Sequence, residues 1–262
     1  MSSNPYAAPK AAVADAATPS QGNFVPGGRG VAAGRGWDWI VGGWELFKKQ
    51  PGMWIGLVVV GLVIFIVVGI IPLVGSLALA VLGPVFGGGV VLGCRALDEG
   101  GELEIGHLFA GFKDKLGTLA AVGAINLVAQ IVIMLVVMLI SGVGMFALFA
   151  GSGGEPGAGA AAGAMIGMLL AVLIALALML PVAMAVWFAP ALVVLNDRGA
   201  VEAMKESFAG CLKNIVPFLL YGIVLMVAGV IAMIPIFLGL LVLLPVAAGS
   251  LYAAYRDVYY SS

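Results

Sequence analysis

Six long apolar runs in this chain carry no Asp, Glu, Lys, Arg or His away from their ends. They cover about residues 53–71, 73–97, 116–150, 160–195, 215–234 and 236–255. A nineteen-residue helix rises about 28 Å, close to the hydrocarbon thickness of a bilayer. With 63% hydrophobic and only 10% charged residues, the chain has too few charges to cover a water-facing surface. The fold expected is all-α, a polytopic bundle of six transmembrane helices. Pro72 separates the first pair of runs and Pro235 the last pair, each within an uncharged turn. The third and fourth runs exceed a simple perpendicular span. They must tilt, break near Gly142 and Gly144 or at Pro181 and Pro190, or project beyond the bilayer. Between them, Gly151 to Gly157 reads as a loop by its glycine and proline content.

The twelve basic residues set the orientation. Lys10, Arg29, Arg35, Lys48 and Lys49 precede the first span. Arg95, Lys113 and Lys115 lie between the second and third, Arg198, Lys205 and Lys213 between the fourth and fifth, and Arg256 at the end of the sixth. All fall on one side in a six-span arrangement. Cytoplasmic loops retain Lys and Arg, so both termini are expected in the cytoplasm. The net charge of −1 shows no basic excess that would point to a nucleic-acid partner.

Residues 1–35, rich in Ala, Pro, Gly and Ser, read as a disordered cytoplasmic tail, and 36–258 as the transmembrane domain. The tail lacks the apolar core of a cleavable signal peptide. Cys94 and Cys211 lie near cytoplasmic helix ends, where thiols stay reduced.

Each odd-numbered span follows a short segment with an apolar stripe at helical spacing. The stripes are Trp37, Ile40, Trp44 and Phe47; Ile105, Leu108, Phe109, Phe112 and Leu116; and Val201, Met204, Phe208, Cys211 and Leu212. Such segments are expected to lie in the membrane interface on the cytoplasmic side. Phe109-Ala110-Gly111 recurs as Phe208-Ala209-Gly210, and Ile71-Pro72 as Ile234-Pro235. These matches suggest a threefold repeat of amphipathic helix, span, turn and span, with units at about 36–99, 101–197 and 199–258.

Few residues invite a functional role. Asn126 and Gln130 are one turn apart on the third span and form a candidate polar intramembrane pair; bonding to neighbouring helices is their simpler use. Gly52 and Gly56, Gly83 and Gly87, and Gly89 and Gly93 have the four-residue spacing of close helix packing. Trp37, Trp44, Phe47, Trp54, Tyr252 and Tyr255 are candidate interfacial anchors. No catalytic residue, metal site or cofactor is expected. The one histidine, His107, sits on an apolar stripe, and the acids Asp98, Glu99, Glu102 and Glu104 read as a solvated loop.

The stretch Gly36-Trp37-Asp38-Trp39-Ile40, followed by Trp44 through Ile55 (WELFKKQPGMWI), resembles the start of an uncharacterised family of bacterial inner-membrane proteins. Asn4 to Lys10 (NPYAAPK) is similar to an N-terminal motif of several bacterial membrane proteins. The broader pattern looks like the YciC-like group and the membrane domain joined to some glycerophosphodiester phosphodiesterases, whose catalytic domain this chain lacks. The resemblance implies a multi-span protein of the bacterial inner membrane and no reaction. Two functions remain open. One is a non-enzymatic envelope or membrane-organising role, with membrane lipids and other membrane proteins as candidate partners. The alternative is a small-molecule channel or carrier using Asn126 and Gln130.

Overall fold

The computed structural model describes residues 22–113, 115–150 and 158–261. Asn4 to Lys10 and the loop at Gly151 to Gly157 lie outside the described residues. In chain order the elements are α1 (Arg35–Lys49), α2 (Pro51–Gly69), α3 (Val74–Asp98), a 3₁₀ helix (Ile105–Phe112), α4 (Leu116–Ala150), α5 (Ala158–Trp187), α6 (Ala189–Asn196), α7 (Ala200–Lys213), α8 (Ile215–Met233) and α9 (Leu240–Tyr259). No strand occurs among the described residues beyond an isolated antiparallel bridge between Phe24 and Tyr260. Among the described residues, six helical stretches are long and apolar enough to cross a membrane: α2, α3, α4, α5 with α6, α8 and α9.

Proline and polar side chains shape these helices. Pro51 opens α2 at its first turn, where a missing N–H costs nothing. The turn after α2 is tight: Leu73 has φ +63° and ψ −59°, and the Val74 N–H donates to the Pro72 carbonyl over 2.7 Å. This three-residue turn places a branched side chain in the left-handed region, a conformation stored at some cost. The turn between α8 and α9 also has positive φ after a proline, at Ile236 and Phe237 after Pro235, but closes over four residues, the Leu238 N–H donating to the Pro235 carbonyl over 3.0 Å.

The core sits at one end of the bundle, called here the base. Buried side chains cluster where α2 begins (Trp54, Leu57), where α3 ends (Val85 to Leu97), where α4 begins (Leu119, Val122), along α6, and in the last half of α9 (Val246 to Tyr259). Away from the base the helices turn most of their residues outward. In the most apolar eighteen residues of each spanning stretch, the buried share runs from 6% within Ala162–Asn196 to 44% within Leu240–Tyr259. Hydrocarbon is as apolar as leucine, so such exposure carries no penalty in lipid. The base holds the ion pairs found among the described residues, and polar groups there must find partners in the protein.

The tail expectation needs correction. Residues 22–34 are not loose: they form a strap laid against the end of α9. Val25 N–H donates to the Tyr259 carbonyl and Arg29 N–H to the Val258 carbonyl, both over 2.8 Å. Asn214, fully buried, fastens the same strap. Its amide oxygen accepts from the Val31 N–H and its nitrogen donates to the carbonyls of Arg29 and Gly210, each over 2.8 Å.

Candidate functional site

Asp257 organises the base. Its side chain is buried, and an unanswered carboxylate there would be costly. Arg29 donates to Oδ1 over 3.3 Å, and Arg35 and the Trp39 indole donate to Oδ2 over 2.7 and 2.9 Å. The strap, α1 and α9 are thereby tied at one residue. Asp98, at the end of α3, pairs with Arg256 and accepts from the Tyr252 hydroxyl over 3.2 Å. Lys49 donates to the Leu97 carbonyl over 2.6 Å, and Gln50 accepts from the Leu103 N–H over 2.7 Å. Two of the neighbouring acids are engaged as well. Glu99 pairs with Arg95, and Glu104 caps the 3₁₀ helix, where His107 Nδ1 accepts the Glu104 N–H over 3.0 Å.

Several anchors are placed otherwise than the sequence suggested. Tyr252 and Tyr255 are buried inside the protein and do not reach the membrane surface as belt residues. The Tyr255 hydroxyl donates to Asn196, and Tyr259 donates to the Glu206 carbonyl over 2.8 Å. Helical spacing brings these rings onto one face of α9, from which Tyr252 reaches Asp98 of α3 and Tyr255 reaches Asn196 of α6. Trp54 is buried as well, its indole donating to the Leu46 carbonyl over 3.2 Å, and Phe47 is buried beside it. Trp37 and Trp44 do face outward. Trp39, which no stripe singled out, is 1% exposed and packs on Phe218 and Tyr221.

The packing glycines also divide. Beside Gly52, Gly56 and Gly83 an added methyl would meet open space, and at Gly87 only ordinary contact with Pro190. Those positions form no seam between helices. Gly89 and Gly93 do, since a methyl there would lie 2.3 Å from the His107 carbonyl and 2.5 Å from Leu103. Other close approaches between helices use Gly36 against the Pro217 carbonyl, Gly43 against that of Val246 and Gly123 against that of Val81, at 2.1–2.3 Å.

Beside the base, α5, α7 and α8 enclose an apolar cleft of about 660 Å³. Leu180 and Met184 wall one side, Leu219 and Leu225 the other, and Phe208 and Leu212 of α7 border it. Trp187, Phe218 and Tyr221 form an aromatic cluster with ring centroids 6.0–6.3 Å apart. Leu180, Leu212, Ile215 and Leu219 are exposed, so the cleft opens sideways. Its geometry depends on a break between α5 and α6. The Ser207 hydroxyl accepts from the Phe188 N–H over 2.9 Å and donates to the Met184 carbonyl over 2.6 Å. It stands where those two groups would otherwise bond each other along the helix, and such insertion is a recognised cause of kinks. Burial pushes the nearby Cys211 thiol up to about 12, so it remains an inert packing group.

A family model described as a domain of unknown function, DUF7847, matches residues 50–256. The chain belongs to the DUF7847 family. The matched span opens beside Lys49 and closes at Arg256, so among the described residues of this DUF7847 chain five of the long apolar helices and all but the end of the sixth fall within the family's region. A relative from Burkholderia thailandensis, named a probable inner membrane protein, is 28% identical over 197 residues, covering 74% of this chain and 73% of that protein. No solved structure matches the chain. The protein is therefore a membrane protein of this family. Within the DUF7847 region, Asn126 and Gln130 bond only weakly to each other, Gln130 Nε2 lying 3.4 Å from Asn126 Oδ1, and line neither the cleft nor the cavity at the base.

Proposed function

We propose that the protein is a non-enzymatic resident of the bacterial inner membrane that holds phospholipid in the cleft between α5, α7 and α8, organising the bilayer around it. The cleft carries this reading: it has the volume of a small-molecule site, an almost wholly apolar wall and a lateral mouth at membrane depth. Its base faces the cytoplasm, a reading supported by the one-sided basic residues. The relative's name supports the inner membrane. The outward residues Trp37, Val41 and Trp44 on α1, and Val201, Phe208 and Leu212 on α7, suit two helices lying in the interface. The paired turns after Pro72 and Pro235 support the internal repeat, and the residue 36–55 stretch supports kinship with the YciC-like group. A channel or carrier built on Asn126 and Gln130 has less support, because neither cavity reaches them.

Native mass spectrometry of detergent-purified protein tests the reading. Gly222 lines the cleft, and an added Cβ there meets open space. Gly222→Phe is expected to lower the amount of retained phospholipid at an unchanged unfolding midpoint. Equal retention by the two proteins would remove the cleft as a lipid site.

A further inference from the structure

A second cavity lies at the base itself, between the strap, α1, the end of α3 and the end of α9, with a volume of about 460 Å³. It is lined by the cations Arg29, Arg35, Lys49 and Arg256. The carboxylates on its wall are already engaged. Asp257 accepts from three side chains, Asp98 is held by Arg256 and Tyr252, and Glu45 turns to Lys48 over 2.8 Å. Counting the outer partners Lys48 and Asp38, five cations face four carboxylates, so the cluster keeps a positive charge. Donors also remain in excess. Each guanidinium has five N–H groups and an ammonium three. The described bonds of Arg29 and Arg35 use two nitrogens each, and Lys49 meets only the Leu97 carbonyl. Arg29, Arg35 and Arg256 are 36–46% exposed at their side chains, so these donors are reachable from solvent.

We propose that this cavity binds the phosphate group of a phosphate monoester or diester. Guanidinium forks match phosphate oxygens in pairs, and an ammonium adds a point charge. Lys49 stands two residues before Pro51, where α2 begins its span, which sets the cavity at headgroup level. A lipid headgroup and a soluble phosphate ester share the required chemistry.

The test uses the full chain in nanodiscs. In phosphatidylcholine discs, glycerol phosphate is titrated by calorimetry. In a parallel set, discs containing phosphatidylglycerol are compared with phosphatidylcholine discs by the unfolding midpoint. Lys49→Gln removes the charge yet can still donate to the Leu97 carbonyl, Lys49→Arg keeps the charge, and Lys205→Gln, exposed on α7 and outside the cavity lining, is the control. Glycerol phosphate binding that weakens about tenfold in Lys49→Gln, but not in Lys205→Gln or Lys49→Arg, identifies a soluble ester. Stabilisation by phosphatidylglycerol alone, lost only in Lys49→Gln, identifies a headgroup. Equal behaviour of Lys49→Gln and Lys205→Gln overturns the proposal. So does a wild-type chain that responds to neither probe beyond sodium chloride of equal ionic strength, and that outcome needs no variant.

Discussion

At the scale of single residues, the base contrasts a carboxylate whose needs are met with one whose needs are not. Asp257 has three side-chain donors for two oxygens. Glu206 on α7 has Arg198 Nε at 3.4 Å from one oxygen, while its other oxygen is buried without a hydrogen bond. Burial raises the Glu206 carboxyl above its ordinary range, and Arg198 only partly offsets it. The folded chain therefore binds a proton at Glu206 more readily than the unfolded chain. Between the ordinary carboxylate value and the raised folded one, stability is expected to fall as pH rises, then level off. Asp197 has the opposite sign, because the hydrogen bond and charge of Lys115 lower it. Its contribution is lost only as pH falls below the ordinary carboxylate range. Thermal unfolding across pH checks this: Glu206→Gln should abolish the decline above the ordinary carboxylate value and leave the acid limb in place. A decline that persists in the variant would assign the effect to another group. None of this was legible in the sequence. Trp39 lies between Trp37 and Ile40 in a segment where any of the three side chains could have faced the protein. Only the distant Asp257, 218 positions later, selects Trp39.

At the scale of elements, α1 shows how glycine position decides which face docks. Gly36 and Gly43 lie two turns apart on the side that carries Trp39, Leu46 and Phe47. There α1 rests on α8 and α9 at backbone contact, a Cβ on Gly43 falling 2.2 Å from the Val246 carbonyl and 2.4 Å from the Ser250 hydroxyl. Gly43→Val is expected to lift α1 and cost about 1–3 kcal/mol by overpacking. Gly56→Ala, in a helix with open space beside it, should be neutral or gain about 0.5–1 kcal/mol. Unfolding midpoints in one detergent check both, and a tolerated Gly43→Val would mean that α1 does not dock as described. Of the glycines at four-residue spacing, Gly89 and Gly93 lie against the His107 carbonyl and Leu103 while Gly52, Gly56 and Gly83 lie beside open space, so spacing alone cannot say which glycines meet a neighbour. The six spans were legible because length and missing charge suffice to mark them. The break at Phe188 was visible only as two prolines, since the hydroxyl that completes it comes from Ser207 on another helix.

At the scale of the molecule, the structure is tightly joined at one end and open along most of its length. The aqueous side requires this, because the strap and both ends of the described chain meet there and bring charges that must be paired. The hydrocarbon side does not, since lipid can cover whatever the helices leave exposed. Helix α4, with 35 residues, rises about 52 Å, well beyond one bilayer crossing, so the α4–α5 pair must tilt or project beyond the far-end turns. Orientation is what converts this asymmetry into cellular position. Cys94 and Cys211 are buried, so thiol labelling has little background. Ile236, in the exposed turn between α8 and α9, and Lys48, exposed at the base, mark opposite ends. With the base in the cytoplasm, an impermeant maleimide should label Ile236→Cys in intact spheroplasts and Lys48→Cys only after permeabilisation. The reverse pattern would place the base outside, where the positive charges of Arg29, Arg35, Lys49 and Arg256 would have had to cross the membrane during insertion.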